Sequence, residues 1–377
     1  MSLDSSIPIS NSKQRRKKAA IWNRKIHRWI AIIIAFPMLF VILTGIFLQV
    51  RKPIDWIQPP TMKGSQKYAP TIALEQVLSG IKTVPEMQVN DWSDIKLLDL
   101  RPNKGIIKVR NHNELETQID ASTGEILQTA QRRNDFVVKM HDFSAWNARL
   151  WLGLPIRLAF LGIFLTGIYL NIKMTPKHLK SLTSGQILKP TSKFSAVKNK
   201  QTDVSTKDSS IKPKDGRPLR LRVKSWLLKY HYWFGWIVII PWAFVISSGL
   251  LLQVRYEVPW VMPTIQQGQG TVPAIEFPQV LETARQLPEQ GVQTWEDIWR
   301  VYVYPDKGIT TIRAENRQEF QIDSSTGEIL QVATRRTDWL EDIHEGKWMG
   351  LNLILFLPVH ILSLILWLTG TIVAYQR

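Results

Sequence analysis

The sequence predicts an integral membrane α-helical protein: a four-helix transmembrane bundle built from two tandem repeats of the same orientation, each carrying an extracytoplasmic α+β module. Three observations predict it. Apolar residues gather in four blocks, near 29–50, 150–172, 232–254 and 348–375. The first block runs for about 22 residues without a charge, enough to cross a ~30 Å hydrocarbon core at about 1.5 Å per residue. The chain also repeats itself. The stretch from His27 to Arg51 (HRWIAIIIAFPMLFVILTGIFLQVR) returns from His231 to Arg255 (HYWFGWIVIIPWAFVISSGLLLQVR) at an offset of 204. The second and fourth blocks correspond at an offset of 203, Pro155 with Pro358, Thr166 with Thr369 and Gly167 with Gly370. Such self-similarity marks a duplicated structural unit.

The third observation is charge. Residues 1–28, the segment 173–229 and Arg377 carry 24 Lys/Arg against 4 Asp/Glu, whereas the rest of the chain carries 24 against 27. Basic segments fall on the same side of every span, the positive-inside pattern. Both termini and the central loop are therefore expected in the cytoplasm, and both excursions outside it. The net charge of +17 reports this topology, so no nucleic-acid partner is expected.

Residues 1–25 read as a disordered, basic cytoplasmic tail, sufficiently explained as a membrane-surface anchor beside a helix. The first span covers 26–50. Its apolar run is too long for a signal peptide and no small-x-small cleavage site follows, so an uncleaved helix is expected. The first excursion, 51–140, begins with helical spacing at 71–82. Strand-like runs follow around Leu97–Leu100 and Ile106–Val109, joined by a turn at Pro102-Asn103-Lys104-Gly105. A second turn, Ser122-Thr123-Gly124-Glu125, separates Thr117–Ile119 from Ile126–Leu127. The glycines most simply supply the φ > 0 residue of each turn. The second span covers 146–172. Residues 173–225, rich in Lys, Ser, Thr and Pro, read as a flexible cytoplasmic linker. The third span is 230–254, the second module 255–344 and the fourth span 348–375. The second module repeats the first almost literally, with QIDSSTGEILQ at 321–331 against QIDASTGEILQ at 118–128. No broken helix is evident in any span.

The recurring residues are His27-Arg28-Trp29 with Thr44-Gly45, His141 upstream of Thr166-Gly167, and the D-x-S-T-G-E-I-L turns. They return as His231-Tyr232-Trp233 with Ser248-Gly249, and His344 with Thr369-Gly370. This pattern resembles the PepSY-associated transmembrane family, which includes bacterial ferric-siderophore reductases and other iron-regulated membrane proteins. The resemblance covers nearly everything from 26 to 375 except the linker. It implies two PepSY-like modules, b-type haem (two expected) and electron passage across a bacterial inner membrane. A ferric siderophore or other extracytoplasmic acceptor is the most concrete electron sink it implies. No flavin or nicotinamide domain is appended, so the electron source is left open between the quinol pool and a cytoplasmic reductase.

Seven histidines are present. His112 and His178 have no counterpart in the other repeat and lie in polar surroundings, which suggests solvated side chains. Repeats of one orientation are related by an axis along the membrane normal, which keeps equivalent residues at equal depth. His27 then pairs with His231 at the cytoplasmic level, and His141 with His344 at the extracytoplasmic level. With the family resemblance, each pair is expected to give a haem iron two neutral nitrogen ligands without a covalent link, and the chain has no cysteine for one. The plainer reading of any single such histidine is a helix-end anchor.

Gly45 lies 18 residues past His27, about 27 Å farther along a helix, and so approaches the level of the other pair. Gly167 and Gly370 conversely approach the His27/His231 level. Gly45 with Gly249, and Gly167 with Gly370, either thin the wall beside a macrocycle or allow close helix packing. Arg157 and His360 occupy equivalent positions within the second and fourth spans. A propionate contact suits Arg157, and an extra ligand, a propionate partner or a proton carrier are open for His360. Snorkelling or neutral packing is the alternative for either. Two other functions stand beside electron transfer: a haem-free PepSY protein that binds peptides or modulates a protease, and a secondary transporter, which two spans per repeat argue against.

Overall fold

The structure is a computed structural model that describes residues 9–183 and 218–376, with side chains from 14 to 175 and from 218 onward. It divides into two compact units. The first comprises Met1–Leu39, Ala159–Ile240 and Leu362–Arg377, and the second Phe40–Leu158 and Pro241–Ile361. Of the stretch 173–225, read as a flexible linker, residues 173–183 and 219–225 are instead helical, and 184–217 lie outside the described residues.

The helices α1 (Ile9–Ile33) and α2 (Ala35–Gln49) form a pair bent by 68°. Helix α5 (Leu154–Thr183) is entered through a π-helical turn at Arg149–Gly153, and α9 (Leu357–Tyr375) through another at Asn352–Phe356. Helix α6 (Leu219–Gln253) is continuous. Among the described residues, three helices are long and apolar enough to cross a membrane, or four if the bent pair counts as one span.

Two helical expectations are corrected. The first span is broken, because Pro37 offers no N–H to the Ile33 carbonyl and its ring crowds that oxygen. The matching Pro241 sits inside unbroken α6, so the proline permits a bend rather than compelling one. Residues 9–25, read as tail, continue α1. Lys, Arg, Gln and Ala are good helix formers, and extending a helix already nucleated costs little.

In the second unit, β1 (Ile95–Arg101), β2 (Ile106–Asn111), β3 (Leu115–Asp120) and β4 (Ile126–Gln131) are followed by α4 (Asn134–His141). The second copy comprises β5 (Ile298–Tyr304), β6 (Ile309–Ala314), β7 (Gln318–Asp323), β8 (Ile329–Thr334) and α8 (Thr337–Glu345). Helices α3 (Leu74–Lys82) and α7 (Phe277–Arg285) precede the two sets. The glycines of the expected turns do take φ > 0, at 65° for Gly105 and 80° for Gly124.

The two modules are not separate bodies. They form one antiparallel sheet of order β4-β3-β2-β1-β5-β6-β7-β8. The seam pairs Leu98 with Val303 and Leu100 with Val301, so the apolar faces of both copies run on without a register flip. Each β1-type strand would otherwise present an unpaired edge. Leu74, Val77 and Ile81 of α3 and Phe277, Val280 and Ala284 of α7 join Leu98, Leu100, Val301 and Val303 in one core.

The D-x-S-T-G turns are built on a buried carboxylate. Asp323 accepts from the backbone amides of Gln269 at 2.7 Å, Ser325 at 2.8 Å and Thr326 at 3.0 Å, and Asp120 repeats this with Ser65, Ser122 and Thr123. Burial pushes the Asp323 carboxyl up, but the Ser325 hydroxyl and these amides outweigh it and hold it down at about 2. A folded pKa below the unfolded 3.8 means stability that is present above pH 3.8 and lost as pH falls toward about 2. Asp323→Ala should cost at least about 2 kcal/mol, since one bond to a charged acceptor contributes about 1.5–3. It should also flatten acid unfolding in that window, checked by denaturant midpoints from pH 7 down to pH 2. A variant with wild-type midpoints throughout would contradict this account of the turn.

Candidate functional site

The first unit brings His27 of α1 and His231 of α6 together with ring centres 6.5 Å apart. Each ring is seated on a [Thr]-Gly step of another helix. His27 Nδ1 is 2.9 Å from Thr166 Oγ1 of α5, and that hydroxyl donates to the Gly162 and Ile163 carbonyls of its own helix at 2.7 and 3.0 Å. With its proton spent there, the oxygen is left to accept, so Nδ1–H is the donor. His231 Nδ1 repeats this on Thr369 Oγ1 at 3.0 Å, whose hydroxyl donates to Ile365 and Leu366. Protonation at Nδ1 leaves the Nε2 lone pair available as a ligand. Gly167 and Gly370 make the seat possible. A Cβ at either would stand 3.5 Å from His27 Cε1 or 3.0 Å from His231 Cε1.

The second unit holds His141, the last residue of α4, and His344 of α8, with ring centres 6.3 Å apart. His141 Nδ1 lies 2.9 Å from Thr44 Oγ1 of α2, and that hydroxyl donates to the Phe40 carbonyl at 2.8 Å. His344 Nδ1 lies 3.2 Å from Ser248 Oγ of α6 and donates to the Val245 carbonyl at 3.0 Å. A carbonyl only accepts, which fixes this tautomer independently. Gly45 and Gly249 again face the rings. A Cβ at Gly249 would come within 2.9 Å of His344 Cε1. Burial pushes His141 well below the usual histidine range, reinforced by the charge of Arg157, and brings His344 down to about 4. Both imidazoles are therefore neutral at pH 7, the state in which they can ligate a metal.

His360 joins this second site. Its Nδ1 donates to the Phe356 carbonyl of its own helix at 2.6 Å, and its Cδ2 lies 3.6 Å from where a Gly45 Cβ would stand. Arg157 does not snorkel. Its Nη2 donates to the His141 carbonyl at 3.1 Å, and Nη1 to Gly153 at 3.4 Å, which ties the end of α4 to α5. His112 is exposed and meets the Ser93 carbonyl at 3.0 Å, while the side chain of His178 lies outside the described residues.

The four hydroxyls of Thr44, Thr166, Ser248 and Thr369 are the site residues that sequence reasoning missed. The [Ser/Thr]-Gly dipeptides were legible, but only their glycines carried an expectation. Among the described residues no three His, Cys, Asp or Glu side chains group as a direct metal site.

Apolar helices of spanning length and an antiparallel sheet, with paired histidines seated on hydroxyls, define a multi-pass membrane protein. The chain belongs to the PepSY-associated TM region family, whose model matches residues 24–377. No curated protein matches it.

Proposed function

We propose that this protein is a transmembrane electron carrier that holds one b-type haem between His27 and His231 and a second between His141 and His344. The observation that carries this is the pairing itself, repeated in both units with the same hydroxyl on Nδ1 and the same glycine under the ring. Two imidazoles bonded at about 2 Å to opposite sides of one metal ion have ring centres roughly 6 Å apart, against 6.5 and 6.3 Å in the two pairs. Neutral nitrogen donors and the absence of cysteine also suit a non-covalent haem. Bound there, the group supplies one-electron redox chemistry. The protein's part is to fix each tautomer through a hydroxyl, admit each ring over a glycine, and present both pairs in a low-dielectric surround that sets potential. Arg157 and His360 are the side chains beside the second pair able to meet a propionate or hold a proton.

On this reading the spans form a four-helix bundle of two repeats in a bacterial inner membrane, with both termini and the central loop cytoplasmic. Electrons come from the quinol pool or a cytoplasmic reductase. The acceptor is a ferric chelate or siderophore outside, taking one electron per iron and releasing ferrous iron that hard oxygen donors hold weakly. Purified protein from haem-replete cells should be red, with two b-type haems per chain. A colourless preparation would reject the carrier. It would favour a haem-free module that adds an extended peptide to an outer sheet edge, β4 or β8. The break in the first span removes one objection to a transporter, and two spans per repeat remains the other.

Topology is tested by cysteine labelling in a chain that has none of its own. Ser79 in α3 is exposed, whereas Ser324 is buried and bonded to Thr310, so Ser79→Cys is the informative outer position. It should react with an impermeant thiol reagent on intact spheroplasts, and Ser195→Cys only after lysis. Labelling of Ser195→Cys from outside would invert the arrangement.

A further inference from the structure

Both copies of the repeated helix end on the same tripeptide, Gln49-Val50-Arg51 and Gln253-Val254-Arg255, and the histidine seats do not use it. Both glutamines are buried, at 7% and 1% exposure. The Gln49 amide donates to the Glu345 carbonyl at 3.0 Å and to that of Asn352. The Gln253 amide donates to the Asp142 carbonyl at 3.2 Å and to that of Arg149. Asp142 and Glu345 are the residues directly after His141 and His344. Arg149 and Asn352 open the π-helical turns that lead into α5 and α9. The arginines follow the same plan. Arg51 Nη2 pairs with the Glu345 carboxylate at 2.8 Å, and Arg255 Nη2 stands 3.8 Å from Asp142.

The arrangement is crosswise. Each ring is held by its own repeat's helix, His141 by Thr44 and His344 by Ser248. The backbone beside each ring is held by the other repeat's helix, Gln253 for His141 and Gln49 for His344. A primary amide kept from water costs free energy unless bonded, and an apolar residue would fill either position without that demand. Room is also kept for it, since a Cβ at Gly153 would fall on the Gln253 amide.

We propose that Gln49 and Gln253, seconded by Arg51 and Arg255, are positioning residues that set the separation of His141 and His344 by tying each histidine's segment to the opposite repeat. The consequence for ligation rests on the haem reading above, whereas the clamp itself does not. Two measurements separate them. In the haem-loaded protein, Gln49→Met or Gln253→Met should weaken the second unit's hold on haem roughly 10- to 100-fold and turn that haem high-spin. The haem at His27/His231 should keep its spectrum and potential. Independently of haem, His141→Cys combined with His344→Cys can be bridged by a short bifunctional thiol reagent, and adding Gln49→Met should slow the bridging several-fold. Gln49→Asn, which keeps the amide and shortens its reach, replaces Gln49→Met if that variant does not accumulate. Unchanged bridging overturns the clamp, and so does an unmoved spin state and affinity at His141/His344 in a coloured preparation. A colourless wild type rejects only the electron carrier, and the bridging rate then decides the clamp.

Discussion

On the electron-carrier reading, His344→Ala should leave a protein with about half its haem, or with one of two haems turned high-spin, and His141→Ala should do the same to the same haem. The reason is coordination. A b-type haem has no covalent tether, so a pair reduced to one imidazole would hold it weakly. The two rings of the second unit stand 6.3 Å apart, as one shared haem would need, so the double variant should remove no more than either single one. His27→Ala and His231→Ala form the other class, on their own haem. The two classes should titrate at different potentials, because the surroundings of each iron set its potential and only the second has His360 and Arg157 beside it. His360→Ala should keep the haem content. Pyridine haemochrome content and redox-difference spectra check each point. His360→Ala abolishing a haem while His344→Ala spares both would show that the second pair is wrongly assigned. A wild-type ratio near one haem per chain would reject the two-site reading outright.

Glu116→Leu should destabilise the sheet by about 3–5 kcal/mol, the usual cost of removing one partner from a buried ion pair. Glu116 accepts from Lys108 Nζ at 2.7 Å and Arg132 Nη1 at 3.0 Å, and the Lys108 and Glu116 side chains are 0% and 1% exposed. Without the carboxylate, the Lys108 ammonium is left unpaired in a dry site, while Arg132 keeps Asp135 at 3.2 Å. The second copy shows a milder solution. At the position matching Lys108 it has Thr311, and Glu319 is met instead by Arg335 at 3.1 Å and Arg313 at 3.3 Å. Lys108→Thr added to Glu116→Leu should therefore restore much of the loss. Burial holds the Lys108 ammonium down to about 8 even with Glu116 beside it. A folded pKa below the unfolded 10.5 means the folded chain releases this proton first. Removing Glu116 takes away the charge that raises this pKa, so the single variant should begin to regain stability below pH 8, before the wild type does, and go on toward 10.5. Equal denaturation midpoints for wild type and Glu116→Leu at pH 7 would refute the argument.

What could be read directly from the chain was whatever repetition and periodicity impose. Two uncharged runs of spanning length and a constant offset predict helices and repeats, because a bilayer excludes charge and a duplication conserves spacing. The same offset picked out His27 with His231 and His141 with His344 from seven histidines. The D-x-S-T-G turns were equally legible, because a short carboxylate capping its own following amides is a local device.

Contacts between distant segments were decided by tertiary structure alone. Nothing near His141 in sequence shows that Thr44, 97 residues away, accepts the hydrogen bond from its Nδ1–H, and the glycine beside that threonine pointed to packing instead. The bend at Ile34 was likewise hidden. Pro37 and Pro241 sit at matched positions, and only the surroundings of each decide whether the freed carbonyl opens the helix. The joining of two modules into one eight-stranded sheet depends on edge complementarity between Leu98-Leu100 and Val301-Val303, which alternation within either strand cannot reveal. The crossing of Gln49 and Gln253 to the opposite repeat follows the same rule. A sequence records which donors must be buried, but which carbonyls receive them is settled only when helices far apart in the chain come to lie side by side.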